Sequence, residues 1–162
     1  MKTRSMGSFR VVPGVYPEGG WIPFSSGLYG YACIGDGNCF WRAAAVQVHG
    51  TQDRYIDMRH RVFQYVRDHP DLELEGLPLA LAVEASGYPS VEAWMSATVS
   101  DGEFAGFVEA ALLARCYGYR IEIYVDAVPT TPNQVFNPQG NLCLRFHFRH
   151  SHYNALFYED LR

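Results

Sequence analysis

The sequence lacks three features that would each point to a large class of proteins. It has no apolar run near the ~20 residues of a membrane-spanning helix, so we expect no membrane partner. It has no excess of positive charge: 13 Lys and Arg residues face 17 Asp and Glu residues, for a formal net charge of −4. A general nucleic-acid binder usually carries a basic stripe, so we expect no nucleic-acid partner. It also has no internal repeat and no low-complexity tract.

Cysteine is scarce, and its spacing is not that of a disulfide framework. The four cysteines stand at positions 33, 39, 116 and 143. Residues 1–6 carry charge without a following apolar stretch, which does not resemble a secretory signal. We therefore expect free thiols in the cytoplasm or another reducing compartment. One of these thiols is then available as a nucleophile.

The sequence does have enough apolar material for one folded domain. Its 162 residues are 48% hydrophobic and 15% aromatic, which suits a single core that needs no disulfides. Residues 1–30 contain many Gly, Pro and aromatic residues and are expected to form an irregular N-terminal arm or short edge strands. We therefore expect the globular domain to span residues 31–162.

Apolar residues at helical spacing fill the first part of that domain. Helices are predicted from residue 38 or 39 to 48, over about 52–68, in a short segment after Ser90, and over about 102–117. Glycines at positions 50 and 118 stand where two of them should end. In the second helix, Arg59 lies off the apolar stripe, together with Arg61 and Arg67.

Alternating apolar residues fill the second part. They predict strands over 120–125, 142–148 and 152–158, with a loop over 127–140. The last two strands are close enough in sequence to form a hairpin. Helices followed by strands indicate an α+β fold with a small mixed or antiparallel sheet flanked by helices.

One candidate nucleophile stands where a glycine-rich turn becomes a helix. Cys39 follows Asp36, Gly37 and Asn38 at the start of the first predicted helix. A helix start has unpaired N–H groups and a partial positive charge, and both favour the reactive thiolate. The backbone N–H groups of residues 36–39 can also hold the oxyanion of a tetrahedral intermediate. A buried, inert cysteine in a structural turn is the alternative interpretation.

A candidate general base lies in the last predicted strand. His152 and Asn154 share one face of a strand, whereas Tyr153 points the other way. An amide oxygen beside an imidazole fixes the tautomer and the ring orientation, as the third member of a Cys-His-Asn system does. His152 would then take the thiol proton and later give it to the leaving amine.

A metal site is the competing interpretation of the C-terminal histidines. Cys143, His147, His150 and His152 lie close together in sequence. They lack the paired Cys-x-x-Cys or His-x-x-x-His spacing of a zinc site, so we predict neither a metal nor a cofactor.

Together the two motifs resemble those of a known family. The run from Asp36 to Ala43, with Asp-Gly-Asn-Cys, two bulky apolar residues and Arg-Ala, resembles the signature of ovarian-tumour (OTU) cysteine proteases. His152-Tyr153-Asn154 is similar to the closing His-Tyr-Asn or His-Tyr-Asp of that family. The resemblance covers about residues 31–158.

This resemblance implies a papain-like thiol-protease fold and a deubiquitinase. Such an enzyme cleaves the (iso)peptide bond after the C-terminal Gly-Gly of ubiquitin, with Cys39 as nucleophile and His152 as general base. Asp36 would organise the oxyanion turn or serve as the third member instead of Asn154. Ubiquitin or ubiquitin chains, or a ubiquitin-like modifier, would be the partner. An acidic channel would steer the basic ubiquitin tail, and candidates for it are Asp71, Glu73, Glu75, Glu84 and Glu103.

Three other functions remain open at this point. The same fold can hold ubiquitin without catalysing its release, although such a module need not retain Cys39, His152 and Asn154 together. A viral or pathogen protease that processes its own polyprotein, with deubiquitination as a second activity in the host cytosol, fits the same motifs. A thiol-dependent transferase also fits and differs by failing to hydrolyse its substrate.

Overall fold

A mixed six-stranded sheet with helices packed against it forms the body of the protein. The structure is a computed structural model of the 162-residue chain, and residues 20–98 and 105–158 are described. Its elements in chain order are β1 Trp21–Pro23, β2 Leu28–Tyr31, α1 Cys39–His49, a 3-10 helix Gln52–Arg54, α2 Tyr55–Asp68, β3 Glu73–Leu74, β4 Leu77–Pro78, α3 Leu79–Ala85, α4 Val91–Thr98, α5 Phe107–Tyr117, β5 Arg120–Tyr124, β6 Gln134–Phe136, β7 Cys143–Arg149 and β8 His152–Tyr158.

The strand order in the large sheet is β1-β2-β8-β7-β5-β6, and β3 and β4 form a separate pair. Only β5 and β7 run parallel; the other neighbouring strands are antiparallel. The predicted hairpin of the last two strands is present, with Phe148 opposite Tyr153. The α+β prediction with a small mixed sheet flanked by helices is therefore confirmed.

The core lies between one face of this sheet and the helices. Helix α1 packs against β7 and β8, α2 packs against α1, and α5 packs against α2 and β5. Phe40 fixes α1 over the hairpin, since its ring stacks on Phe146 at 4.8 Å and meets Tyr153 edge-on at 5.2 Å. Such ring pairs add about 1 kcal/mol each beyond the burial of their area. This packing places the start of α1 beside β8.

Most predicted helix boundaries are found in the structure. Helices α1 and α5 end at Gly50 and Gly118, both in the left-handed conformation, and Ser90 Oγ accepts a hydrogen bond from the amide of Ala93 at 3.0 Å. The helix predicted from residue 102 begins at Phe107 instead. There the Gly106 amide donates to the Glu109 carboxylate at 2.7 Å. Residues 99–104 lie outside the described part.

The prediction that residues 127–140 form only a loop is wrong. Within that range β6 pairs with β5, with Phe136 opposite Ile121. Phe136 is buried, so one apolar side chain in a Pro- and Asn-containing segment anchors an edge strand. The segment has only three strand residues, too few to show an alternating pattern.

Two short strands lie in or across the end of the range for which an irregular arm or short edge strands were expected. β1 pairs with β2, and β2 pairs with β8, with Leu28 opposite Tyr158. The expected boundary at residue 30 therefore falls inside β2. Residues 1–19 lie outside the described part, and for them the arm stays a prediction. We propose that the domain includes β1 and β2.

Candidate active site

Cys39 is the first residue of α1, as predicted, and the turn before it is held by its own side chains. Gly37 has a φ of 86°, which a residue with a Cβ rarely adopts. The Asn38 amide donates to Asp36 Oδ1 at 3.0 Å, so the Asp36 carboxylate closes the turn on itself. This closure brings the chain directly into the helix, and the Arg42 amide donates to the Asn38 carbonyl at 2.9 Å.

Asp36 is also paired with an arginine from α1. The guanidinium of Arg42 donates to Asp36 through Nη2 at 2.6 Å and through Nε at 3.1 and 3.2 Å. These hydrogen bonds lower the pKa of Asp36 to about 2. Asp36 is thus a fixed anion of the turn. Asp36 bonds to Arg42 and the Asn38 amide, whereas the imidazole bonds to Asn154.

The sulfur of Cys39 lies at the open edge of β8. Strand β2 pairs with β8 only from Ala155 onward, so the backbone of Tyr153 faces no strand on that side. The Tyr153 amide donates to Cys39 Sγ at 3.4 Å instead. Tyr153 immediately follows His152, so the end of β2 explains why α1 and the candidate base meet here.

His152 and Asn154 form a hydrogen-bonded pair on β8. His152 Nε2 lies 2.9 Å from Asn154 Oδ1. The amide of Cys33 also donates to Asn154 Oδ1, at 2.9 Å. Because a backbone N–H can only donate, the atom between them is the oxygen, and Nε2 must carry the proton. Nδ1 is then the nitrogen with the lone pair, which is the state that a general base needs.

Burial and nearby backbone amides act on the Cys39 thiol in opposite directions. Burial raises its pKa, and the hydrogen bonds from the amides of Tyr153, Phe40 and Cys39 itself oppose the shift without cancelling it. The helix start favours the thiolate, and burial opposes it with the larger effect. Among the described residues no hydrogen bond joins Cys39 to His152, a contact that often tightens only when substrate binds.

A buried arginine that the sequence pattern placed off the core contacts the same turn. Arg59 in α2 is 2% exposed, and its Nη1 donates to Asn38 Oδ1 at 3.0 Å. The Tyr55 ring lies between two guanidinium groups, 4.2 Å from that of Arg42 and 5.8 Å from that of Arg59. Arg59 directly follows Met58 on the buried stripe, but nothing in the spacing distinguishes it from Arg61 or Arg67.

Gln52 is a second residue that the sequence did not reveal. It is 2% exposed, and its Oε1 accepts a hydrogen bond from the Ile34 amide at 2.9 Å. This bond fixes the loop between β2 and α1 and leaves the Ile34 side chain 50% exposed. Gly35 lies next in that loop, against His152: a Cβ there would sit 3.7 Å from the ring. The loop therefore forms one wall of the candidate site.

The other cysteines have environments that do not favour a thiolate. Burial raises the pKa of Cys33 to about 12 and that of Cys143 to about 11. Cys116 is partly exposed, and burial raises its pKa as well. Cys39 is the cysteine whose sulfur accepts a hydrogen bond from the amide of Tyr153, the residue between His152 and Asn154.

The competing metal residues do not converge. His147 Nε2 hydrogen-bonds to the carbonyl oxygen of Asp126 at 2.7 Å. No group of three or more His, Cys, Asp or Glu side chains able to hold a metal occurs among residues 20–98 and 105–158. The acidic residues expected to line a channel are exposed at positions 71, 73, 75 and 84, while Glu103 lies outside the described residues.

None of the helices in the described part is long and apolar enough to cross a bilayer.

The fold of this chain is similar to that of several solved structures. The sequence matches no protein-family model and no curated protein. The structure of the OTUD1 OTU domain is similar with a TM-score of 0.63 and 22% identity, over 80% of this chain and 85% of that one. The chain has the OTU fold. The viral OTU domain protease from Dera Ghazi Khan virus gives a TM-score of 0.64 at 13% identity, over 87% and 96% of the two chains.

One similar OTU structure contains a bound partner. The Hazara virus OTU bound to ubiquitin gives a TM-score of 0.62 at 18% identity, covering 86% of this chain and 87% of that one. The identities of these OTU domains are low, so the shared property is the fold. The similarity in structure agrees with the resemblance of the two sequence motifs to the OTU family.

Proposed function

We propose that the protein is a deubiquitinating cysteine protease that hydrolyses the bond after the C-terminal Gly-Gly of ubiquitin. One observation carries this proposal: a cysteine at a helix start lies beside a strand whose histidine is hydrogen-bonded to an asparagine. The Tyr153 amide links the Cys39 sulfur to this strand, and the 2.9 Å bond between His152 and Asn154 fixes the imidazole. This is the residue set of acyl transfer by a thiol.

In the proposed reaction His152 Nδ1 takes the proton of Cys39, and the sulfur attacks the carbonyl carbon of the terminal glycine. The negative oxygen that forms is held by backbone amides of the turn from Asp36 to Cys39, and removing one such donor typically costs 10²–10³-fold in rate. The imidazolium returns its proton to the leaving amine. Water, deprotonated by the same nitrogen, then releases the acyl group from the sulfur.

Asn154 and Asp36 have separate roles in this proposal. Asn154 orients the imidazole and stabilises the imidazolium, because its oxygen already accepts the Nε2 proton. Asp36 holds the oxyanion turn through Arg42 and the Asn38 amide. We therefore propose Asn154 as the third member and Asp36 as a residue of the turn.

The choice of substrate rests on relatives and on charge. Similar OTU domains have been solved with ubiquitin bound. The chain has a net charge of −4, and an acidic surface attracts a basic tail. Ubiquitin, alone or in chains, is the proposed partner, in the cytosol of the cell that supplies it.

The decisive experiment uses ubiquitin that carries a C-terminal electrophile. We expect a covalent adduct of one ubiquitin per chain, with the modified peptide containing Cys39. Cys33→Ala is the matched control, because it removes the nearest other thiol and leaves Cys39 in place. Binding without an adduct, together with no hydrolysis of a fluorogenic ubiquitin amide, would identify an idle ubiquitin-binding module instead.

A further inference from the structure

Asn38 does not behave as the residue before a helix usually does. An Asn at this position normally has an extended backbone and accepts a hydrogen bond from an amide of the first turn with its side chain. Asn38 has φ −100° and ψ 9°, and in the described structure its side chain makes no such capping bond to α1. Its Oδ1 accepts the 3.0 Å hydrogen bond from Arg59 instead.

The surroundings of Arg59 hold its side chain in place for the hydrogen bond to Asn38 Oδ1. Arg59 lies in the middle of α2 with 2% of its surface exposed, directly after Met58, which is fully buried. Since α2 packs against α1 and Tyr55 lies against the guanidinium, packing fixes the reach of this side chain. A fixed buried donor competes well with the amides of a helix start for one oxygen atom.

The amides that Asn38 leaves alone are used by the candidate nucleophile. The backbone amides of Cys39 and Phe40, at the start of α1, lower the pKa of the Cys39 thiol against the larger effect of burial. A capping side chain accepts from the second or third amide of its helix, which in α1 are those of Phe40 and Trp41. If the Asn38 side chain capped α1, its oxygen would therefore compete with the Cys39 sulfur for these amides.

We propose that Arg59 is a positioning residue that holds the Asn38 side chain off α1 and so keeps the first-turn amides open to the sulfur of Cys39 and to the oxyanion. This inference deepens the proposed function. Only its turnover measurement rests on that function, because the alkylation measurements do not require hydrolysis. The other charged and titratable groups around Cys39 come from the preceding loop, α1 and β8 and stay unchanged in the test: Cys33, Asp36, Arg42, His152 and Tyr153.

The sharpest test compares Asn38→Ser with Asn38→Ala. Both side chains are too short to reach Arg59, but only serine can cap α1. Alkylation of Cys39 by iodoacetamide, followed by mass spectrometry across pH 6–10, measures its thiolate. We expect the apparent pKa to be about 0.5–1 unit higher in the serine variant, and alkylation at pH 7 to be about 3–10-fold slower. Equal alkylation profiles would overturn the proposal.

A second test acts on the arginine. Arg59→Met should slow alkylation at pH 7 by about 3–10-fold, Arg59→Lys by less, and Arg59→Met combined with Asn38→Ala should recover most of the rate. A purely structural Arg59 predicts that the double variant is no faster than Arg59→Met. If Arg59→Met does not fold, the serine and alanine variants decide, because both keep Arg59.

Turnover separates this inference from the proposed function. On a fluorogenic ubiquitin amide, Arg59→Met should lower kcat and leave KM within about twofold, since the amides act on the reacting groups and not on docking. If the wild-type protein does not hydrolyse this substrate but the alkylation differences are present, the proposed function fails and the role of Arg59 stands. The reverse result, hydrolysis with identical alkylation, removes the role of Arg59 alone.

Discussion

Two regions of the sheet contain buried polar side chains, and they use them in opposite ways. On the strands away from the site, Glu122 is 3% exposed and Arg145 is 2% exposed. Glu122 accepts from Arg120 and Tyr124 at 2.8 Å each and lies 3.2 Å from Arg145 Nε. Its charge is therefore satisfied from several sides by groups of the same sheet.

At the candidate site, the polar side chains make fewer hydrogen bonds within the described residues. Among the described residues, His152 forms one hydrogen bond, through Nε2 to Asn154. The Cys39 sulfur accepts from one strand amide. The comparison shows that polar side chains are buried in both regions, and that at the candidate site His152 Nδ1 has no hydrogen-bond partner among the described residues.

The largest expected effect separates the two regions by activity. Cys39→Ala should abolish hydrolysis, a loss of at least about 10⁴-fold in kcat, because no other group supplies the nucleophile. Thermal unfolding and binding of ubiquitin should stay nearly unchanged. Hydrolysis of a fluorogenic ubiquitin amide and calorimetric titration measure the two properties. Full activity in this variant, or a probe adduct at Cys33, Cys116 or Cys143, would contradict the assignment.

A smaller effect is expected at the third member. Asn154→Ala should lower kcat by about 10–1000-fold and change KM less, since the amide acts on the imidazole and not on substrate. The loss should be smaller than for His152→Ala, because a mispositioned base still works part of the time.

Asp36→Ala serves as the contrast, because it loosens the oxyanion turn. Its cost in free energy should add to that of Asn154→Ala if the two sites are independent. A silent Asn154→Ala together with an Asp36→Ala variant as inactive as His152→Ala would make Asp36 the third member.

Substitutions at Glu122 and its arginine partners should change the stability of the protein and not its turnover. Glu122→Gln removes the carboxylate that Arg120 and Arg145 share, and breaking a buried ion pair costs about 3–5 kcal/mol of unfolding free energy. Urea denaturation measures the loss, and kcat of the folded fraction should stay within about twofold of wild type. Arg145→Met should cost less than Glu122→Gln, since Arg120 still pairs with Glu122 in that variant. A large loss of kcat would erase the distinction between the two regions.

The smallest expected effect is a change in thermal stability at low pH. The hydrogen bonds from Arg42 hold the pKa of Asp36 at about 2, below its usual value of 3.8. A lowered pKa means that this ion pair stabilises the fold above about pH 4 and stops doing so as the pH falls towards 2. The Asp36 side chain is 34% exposed, so the contribution is at most about 1 kcal/mol. The difference in Tm between wild type and Asp36→Asn should shrink from pH 5 to pH 2; a constant difference would contradict it.

Local signals made much of the fold and the centre of the site predictable. The glycine at position 50, the alternation in the last two strands and the cysteine after Asp-Gly-Asn are each decided within a few residues of sequence. The His152–Asn154 contact follows from the two-residue period of a strand. These features need no knowledge of what packs against them.

The remaining features depend on distant partners. Arg59 and Gln52 look like solvent-facing polar residues, and their burial arises only because α1 and the loop before it offer acceptors or donors. The alternation of apolar and polar residues in β5 and β7 predicts one solvent-exposed face. Glu122 and Arg145 lie on that face and are nevertheless buried, because their charges neutralise each other. Pairing across strands has no local trace in the sequence.

The register between β2 and β8 has a consequence for how the protein is made. The amide that reaches the Cys39 sulfur belongs to a residue 114 positions later in the chain, and Asn154 contacts Cys33 across 121 positions. During synthesis, which proceeds from the N-terminus, the nascent chain carries the thiol long before the imidazole exists. On the proposed function, the site therefore cannot form until the hairpin of β7 and β8 has left the ribosome, and a translation product that ends before His152 lacks the proposed base.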